Sequence, residues 1–228
     1  MKQGNAAGAV PNAAATLVSL REPRSAAAEA YRTLWTNIRF GTPGESTKAI
    51  LVTSARPDEG KTITIANLGV VAAQSGARII LVDGDLRRAS LHIIFGKENA
   101  VGFSTALQGD VDAMAAVQET GVEGLRLLAS GPLPVSPTEL LQTGHVEKIL
   151  QILRCASDLV MIDSPPVTAV ADASLIAPRV DGVMLVVDGR RSRREPARRA
   201  KEQLERVGAN IIGVTIHDAP LGASAYRY

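Results

Sequence analysis

Residues 50–64 read ILVTSARPDEGKTIT, and the order of events in that stretch decides the fold. A run of branched apolar residues gives way to a short polar turn. The turn ends in Gly60-Lys61-Thr62, and apolar residues then resume at helical spacing. Strand, turn and helix with Gly-Lys-Thr at the last junction form the phosphate-binding loop, general pattern G-x-x-x-x-G-K-[ST]. Ala55 stands in the first glycine position. Each residue type has a chemical reason. Gly60 lets the backbone approach a phosphate closely, and successive N–H groups ahead of the helix face the anion. Lys61 is placed to reach the β- and γ-phosphates, and the Thr62 hydroxyl can ligate Mg²⁺. Asp58 must occupy a turn where glycine is easiest, a geometry aspartate tolerates better than most residues. The candidate nucleotide cradle is therefore Arg56, Pro57, Asp58, Glu59, Gly60, Lys61, Thr62 and Ile63, with ATP and Mg²⁺ as its cofactors. The plainer alternative is a polar turn before an ordinary helix, but strand and helix both lie where the motif needs them.

Outward from the loop, short apolar runs rich in β-branched residues recur at 49–52, 79–82, 125–128, 159–162, 183–187 and 211–216. Helical patterns separate them at 62–74, 138–153, 171–177 and 196–207. Strands alternating with helices imply right-handed crossovers and a mostly parallel sheet. Continuous apolar runs are what strands buried on both faces require. The expected fold class is α/β: a doubly wound, mostly parallel sheet with helices on both faces, its ligands at the carboxyl ends of the strands.

Two of those strand ends carry acids. RIILVDGDLRR places Asp83 and Asp85 after one strand, and DLVMIDSPP places Asp163 after another. A carboxylate closing an all-apolar strand is costly unless it meets a cation or hydrogen-bond donors. In this fold the strand ends converge on the phosphate site, so all three acids, with Thr62, can face one Mg²⁺ directly or through its water shell. Lys61, Asp83, Asp85 and Asp163 are thus the candidate charged set around the phosphates and the ion. A turn former is the bland reading of Asp85 alone.

A formal net charge of +2 is too small to argue for a nucleic-acid partner, and none is expected. The single cysteine, Cys155, excludes an internal disulfide and reads as a small buried apolar residue. No apolar run approaches the ~20 residues needed to span a bilayer, and the N-terminus lacks the apolar block of a signal peptide. The expected localisation is cytoplasmic. Residues 1–20 read as a flexible arm, 21–47 as a helical segment capped by Ser25, 48–217 as the P-loop domain and 218–228 as a flexible tail.

These motifs resemble those of the bacterial protein-tyrosine kinases (BY-kinases) of capsule and exopolysaccharide synthesis, of the stand-alone cytoplasmic CpsD/CapB type. The likeness runs from about Leu17 to Pro220. EAYRTL looks like the family's oligomerisation motif, SARPDEGKT its Walker A, IILVDGDLRR its Walker A-prime and LVMIDSPPV its Walker B. The resemblance implies ATP-dependent tyrosine phosphorylation, often on the tail of a neighbouring subunit, with Tyr226 and Tyr228 as acceptors. It implies Asp83 orienting the tyrosine hydroxyl, and Asp85 and Asp163 in the metal network. It implies a homo-oligomer using Glu29 and Arg32, and a membrane-embedded polysaccharide co-polymerase or activator whose cytosolic tail recruits the kinase to the inner face of the plasma membrane. Phosphoryl transfer needs mainly positioning and charge neutralisation, which this kit supplies.

The chain departs from the family pattern in three places. The tail holds two tyrosines instead of a dense run, although ten steps from Asp218 to Tyr228 span roughly 35 Å if extended. Trp35 replaces the second arginine of E-x-x-R-x-x-R, which puts the ring-shaped oligomer in doubt; Glu29 and Arg32, spaced i,i+3, can also pair within the helix. His217 stands where relatives carry an asparagine associated with adenine. Two rival readings stay open. One is a ParA/MinD-like positioning ATPase, kept alive by Arg56 five residues before Lys61 and by the basic run RRSRREPARR. The other is a non-catalytic regulatory subunit of a polysaccharide export complex.

Overall fold

All six apolar runs become strands, and a seventh joins them. The computed structural model describes residues 17–41 and 47–219. The strands are β1 (Ala49–Ser54), β2 (Ile79–Asp83), β3 (Val117–Glu119), β4 (Leu125–Leu128), β5 (Leu159–Asp163), β6 (Gly182–Asp188) and β7 (Ile211–His217), in the sheet order β3-β4-β2-β5-β1-β6-β7. Every pairing is parallel except β3 with β4. The doubly wound expectation holds.

Every residue of β1, β2 and β5 is buried. Their side chains alternate between two cores, one on each face of the sheet. Leu51, Val82 and Ile162 enter the core shared with Leu150 and Leu204, whereas Val52, Leu81 and Met161 enter the core shared with Ile65, Leu68 and Trp35. The helices that close these cores are α1 (Val18–Arg21), α2 (Ala26–Phe40), α3 (Lys61–Gln74), α4 (Leu91–Phe95), α5 (Phe103–Gln108), α6 (Pro137–Gln142), α7 (His145–Ala156), α8 (Asp172–Ile176) and α9 (Arg194–Arg206).

Several sequence expectations need correction. The arm cannot extend to residue 20, because Leu17 and Ser19 are buried and the Ser19 N–H donates to Asn67 Oδ1 of α3 at 3.0 Å; residues 1–16 lie outside the described residues. Ser25 does cap α2, its hydroxyl accepting from the Ala28 amide at 3.2 Å. The helix expected over 138–153 is two, since Thr143 turns extended (ψ 153°). The 171–177 helix ends in a 3₁₀ turn, Ala177–Arg179, which contains Pro178. The short β3, α4 and α5 were not anticipated. β7 is an edge strand instead of a doubly buried one: Ile211 and Ile212 pack inward, one against each core, while Val214 and Ile216, beyond the bulge in the β6–β7 pairing, are 59% and 58% exposed. Cys155 is exposed on α7, not buried. No described helix is long and apolar enough to cross a membrane.

Candidate functional site

The turn between β1 and α3 is shaped by two left-handed residues, Asp58 (φ 62°) and Gly60 (φ 82°). Only glycine fits at 60 for a second reason: an added Cβ would lie 2.2 Å from Cδ2 of His217. The histidine is thus packed on the loop from the end of β7. Glu59 is almost wholly buried. One of its oxygens accepts from the Arg56 amide at 2.8 Å and the other from the Ser192 hydroxyl, which bolts the loop to the turn after β6. α3 begins at Lys61, so its first amides lack partners within the helix and form the mouth of an anion site.

Lys61 lies against two of the three acids. Lys61 Nζ lies 3.3 Å from Asp85 Oδ2 and 3.7 Å from Asp163 Oδ1. The Thr62 hydroxyl donates to Asp163 Oδ2 at 2.5 Å. Asp83 and Asp163 are register partners on β2 and β5, both fully buried. Asp83 Oδ2 accepts from the Ser90 and Leu91 amides, each at 3.0 Å, while its Oδ1 has no hydrogen-bond partner.

Electrostatics follow from this packing. Burial pushes the Asp83 carboxyl up to about 7, helped by the nearby Asp163 charge and opposed by the Leu91 and Ser90 amides. Asp163 is also raised by burial, against the pull of Lys61 and Thr62. Burial works against the Lys61 ammonium, but Asp163 and Asp85 outweigh it and hold the lysine protonated.

Among the described residues no group of three or more His, Cys, Asp or Glu is arranged to hold an ion. The physical reason is that each acid uses an oxygen locally: Asp83 on Ser90 and Leu91, Asp85 on the Arg87 and Arg88 amides (3.3 and 3.0 Å), Asp163 on Thr62. What remains, a Thr62–Asp163 pair with a buried, hydrogen-bond-free Asp163 Oδ1 beside the cradle, fits a phosphate-borne Mg²⁺ that keeps most of its ligands as water and phosphate oxygen.

Other candidates separate from this cluster. Glu29 and Arg32 pair with each other at 2.8 Å on the outer face of α2, and Arg32 also donates to the Pro23 carbonyl. Trp35 is turned inward, its indole N–H bonded to Ser75 Oγ at 2.8 Å, and the indole packs within the chain. Tyr226 and Tyr228 lie outside the described residues. In the basic run, Arg198 and Arg199 pair with Glu195 and Glu202 along α9, the pattern of a solvated helix. Sequence reading missed Ser192, and it missed Arg87, Thr138 and Asp172, which close on one another beside the Walker A-prime turn. Asp172 opens a helix, so from sequence it looked like no more than a helix-start residue.

No protein-family model matches the chain. Curated relatives do. The tyrosine-protein kinase YwqD of Bacillus subtilis is 37% identical over 213 residues, covering 93% of this chain and 90% of that one. Among solved structures, the kinase domain of the Escherichia coli tyrosine kinase ETK superposes with a TM-score of 0.87 at 30% identity, covering 93% of this chain and 84% of that domain. The septum site-determining protein MinD of Pyrococcus horikoshii, solved with Mg-ADP, gives a TM-score of 0.65 at 22% identity over 78% of this chain and 75% of that one, a likeness of fold alone. With a full-length relative above a third identical and the Walker A, A-prime and B residues assembled at one edge of the sheet, the chain belongs to the bacterial tyrosine-protein kinases.

Proposed function

We propose that this chain transfers the γ-phosphoryl group of Mg-ATP to tyrosine hydroxyls, Tyr226 and Tyr228 of a second copy among them, and so regulates capsular or exopolysaccharide synthesis and export. The observation that carries the reading is the Lys61 ammonium held between Asp85 and Asp163 at the mouth of a left-handed loop, with the partnerless Asp83 Oδ1 buried beside it.

In this reading Thr62 and Asp163 hold Mg²⁺, which supplies charge neutralisation on the triphosphate when bound. Lys61 exchanges its carboxylate partners for phosphate oxygens. The residues from Arg56 to Ile63 line the nucleotide. Asp83 accepts the tyrosine hydroxyl hydrogen bond on Oδ1 and sets the oxygen in line with the phosphorus. The P–O bond to ADP breaks as the P–O bond to tyrosine forms, and the phenolic proton leaves by way of Asp83 or water. Preorganised charge and alignment supply most of the rate. The protein works in the cytoplasm, drawn to the membrane by an activator with a cytosolic tail, and Glu29 and Arg32 contribute to self-association. Residues 48–217 are the kinase domain, and the residues beyond it form the acceptor tail.

Intact-mass measurement of the purified protein, with and without Mg-ATP and a candidate activator's cytosolic peptide, tests this directly. One or two phosphates on the C-terminal peptide are expected. Robust ATP hydrolysis with no phosphotyrosine would overturn the kinase reading in favour of a positioning ATPase.

A further inference from the structure

Three loops that leave the site edge of the sheet are joined at a point of which the motifs include only one residue, Arg87. Asp172, at the first turn of α8, is fully buried. Its two oxygens accept from Arg87 Nε at 2.8 Å, from Arg87 Nη2 at 3.2 Å and from the Thr138 hydroxyl at 2.8 Å, and Arg87 Nη2 also lies 2.8 Å from that hydroxyl. Arg87 belongs to the turn after β2, Thr138 to the first turn of α6 after β4, and Asp172 to the segment after β5. A forked guanidinium suits this task, since one planar group fixes two partners at once.

The triangle is connected inward as well as outward. The Arg87 and Arg88 amides hold Asp85 Oδ1, and Asp85 Oδ2 faces Lys61 Nζ. The far side of the same β5 loop is fastened to the phosphate loop: the Val167 amide donates to Ser54 O at 2.9 Å, and Thr168 Oγ1 donates to Ala55 O. Loop 164–172 therefore spans from the P-loop to the Walker A-prime turn and is anchored at both ends.

We infer that Arg87, Asp172 and Thr138 form a strut that positions the Asp85 carboxylate, and through it Lys61, against the phosphate loop. They are positioning residues, because none of them lines the cradle itself. The inference rests on the kinase reading only for its effect on rate. A buried carboxylate also needs a cation simply to remain folded, and the strut goes further in requiring the fork of Arg87, not merely its charge.

Variants Arg87→Lys, Arg87→Gln and Thr138→Val separate the two roles. Three properties are read for each: thermal midpoint, affinity for a fluorescent ADP analogue, and kcat for tyrosine phosphorylation. Hydrogen exchange of the amides over 84–91 is read without nucleotide. If the strut positions Asp85, Arg87→Lys keeps the thermal midpoint close to wild type yet lowers kcat by about tenfold or more, the scale on which misplaced reacting groups act. Nucleotide affinity stays within about threefold, and exchange over 84–91 accelerates while that over 60–66 does not. Thr138→Val shows the same pattern more weakly. Adding Asp172→Asn to Arg87→Gln gives little further loss, as expected for groups acting as one unit. Full kcat and unchanged exchange in Arg87→Lys, with only Arg87→Gln losing thermal stability, would reduce the triangle to charge compensation. Equal losses of kcat and nucleotide affinity would also overturn the assignment. If the wild-type protein transferred no phosphate at all, the kinase reading would fall, and the exchange data alone would still decide whether the strut exists.

Discussion

The turn after β1 and the turn after β2 leave buried strands at the same edge of one sheet, yet they treat their backbone amides in opposite ways. The first uses left-handed Asp58 and Gly60 to turn amides outward at the head of a long helix, α3. The second folds its amides back onto its own acids: Ser90 and Leu91 onto Asp83, Arg87 and Arg88 onto Asp85. One turn is built to receive a negative ligand, and the other is built to keep negative charge in place. Lys61 is the single described cation within ion-pair distance of acids from both the β2 and β5 ends, so the contrast depends on it.

Lys61→Met is the harshest test of that contrast. Without the ammonium, nucleotide affinity should fall by on the order of a hundredfold, about 3 kcal/mol. Isothermal titration that found binding within a few-fold of wild type would show that the outward amides suffice alone. The next largest effect falls on the acid side. The Asp83 carboxyl keeps its proton up to about pH 7 in the folded protein, against an ordinary value of 3.8. The unfolded chain therefore releases that proton first, and stability drains away as pH climbs from about 4 to about 7. Asp83→Asn removes this drain, so its stability relative to wild type should improve between pH 5 and pH 8 by on the order of 2–3 kcal/mol. Paired denaturation curves at the two pH values measure it, and a pH-independent difference would mean that Asp83 is already ionised in the fold.

Much of this was legible in sequence, for reasons that differ by element. The central strands announce themselves because burial on both faces forces continuous apolar runs, as in Ile79–Asp83. β3 gives no such signal, since two half-buried residues and one exposed residue pair antiparallel at the rim. The break near Thr143 hides inside an apolar pattern that either one helix or two would satisfy. In the site, Gly60, Lys61 and Thr62 are contiguous and carry a spacing rule. Arg87, Thr138 and Asp172 come from three separate loops, and only the folded sheet shows that they touch. The local use of the acid oxygens was equally invisible, because it depends on where the backbone of the β2 turn points.

Two smaller predictions sharpen the comparison. Ser192→Ala removes the outer fastening of the phosphate loop through Glu59 and should cost about 1 kcal/mol of stability. Faster hydrogen exchange across 56–60, with no change across 84–91, would show that the two turns are braced independently. Least of all, Arg32→Ala breaks an exposed pair within α2, and its effect on monomer stability should stay below about 0.5 kcal/mol. A fall in mass by light scattering, with stability unchanged, would then locate a role between subunits.

The contact between Gly60 and His217 reaches beyond conformational preference. A methyl group at position 60 would run into the imidazole, so the two positions form a lock whose halves lie far apart in the sequence. A smaller side chain at 217 would open room over the phosphate loop, whereas any side chain at 60 would still meet the strain of its left-handed backbone. Engineering of this protein toward bulkier nucleotide analogues should therefore begin at the end of the last strand, not in the motif.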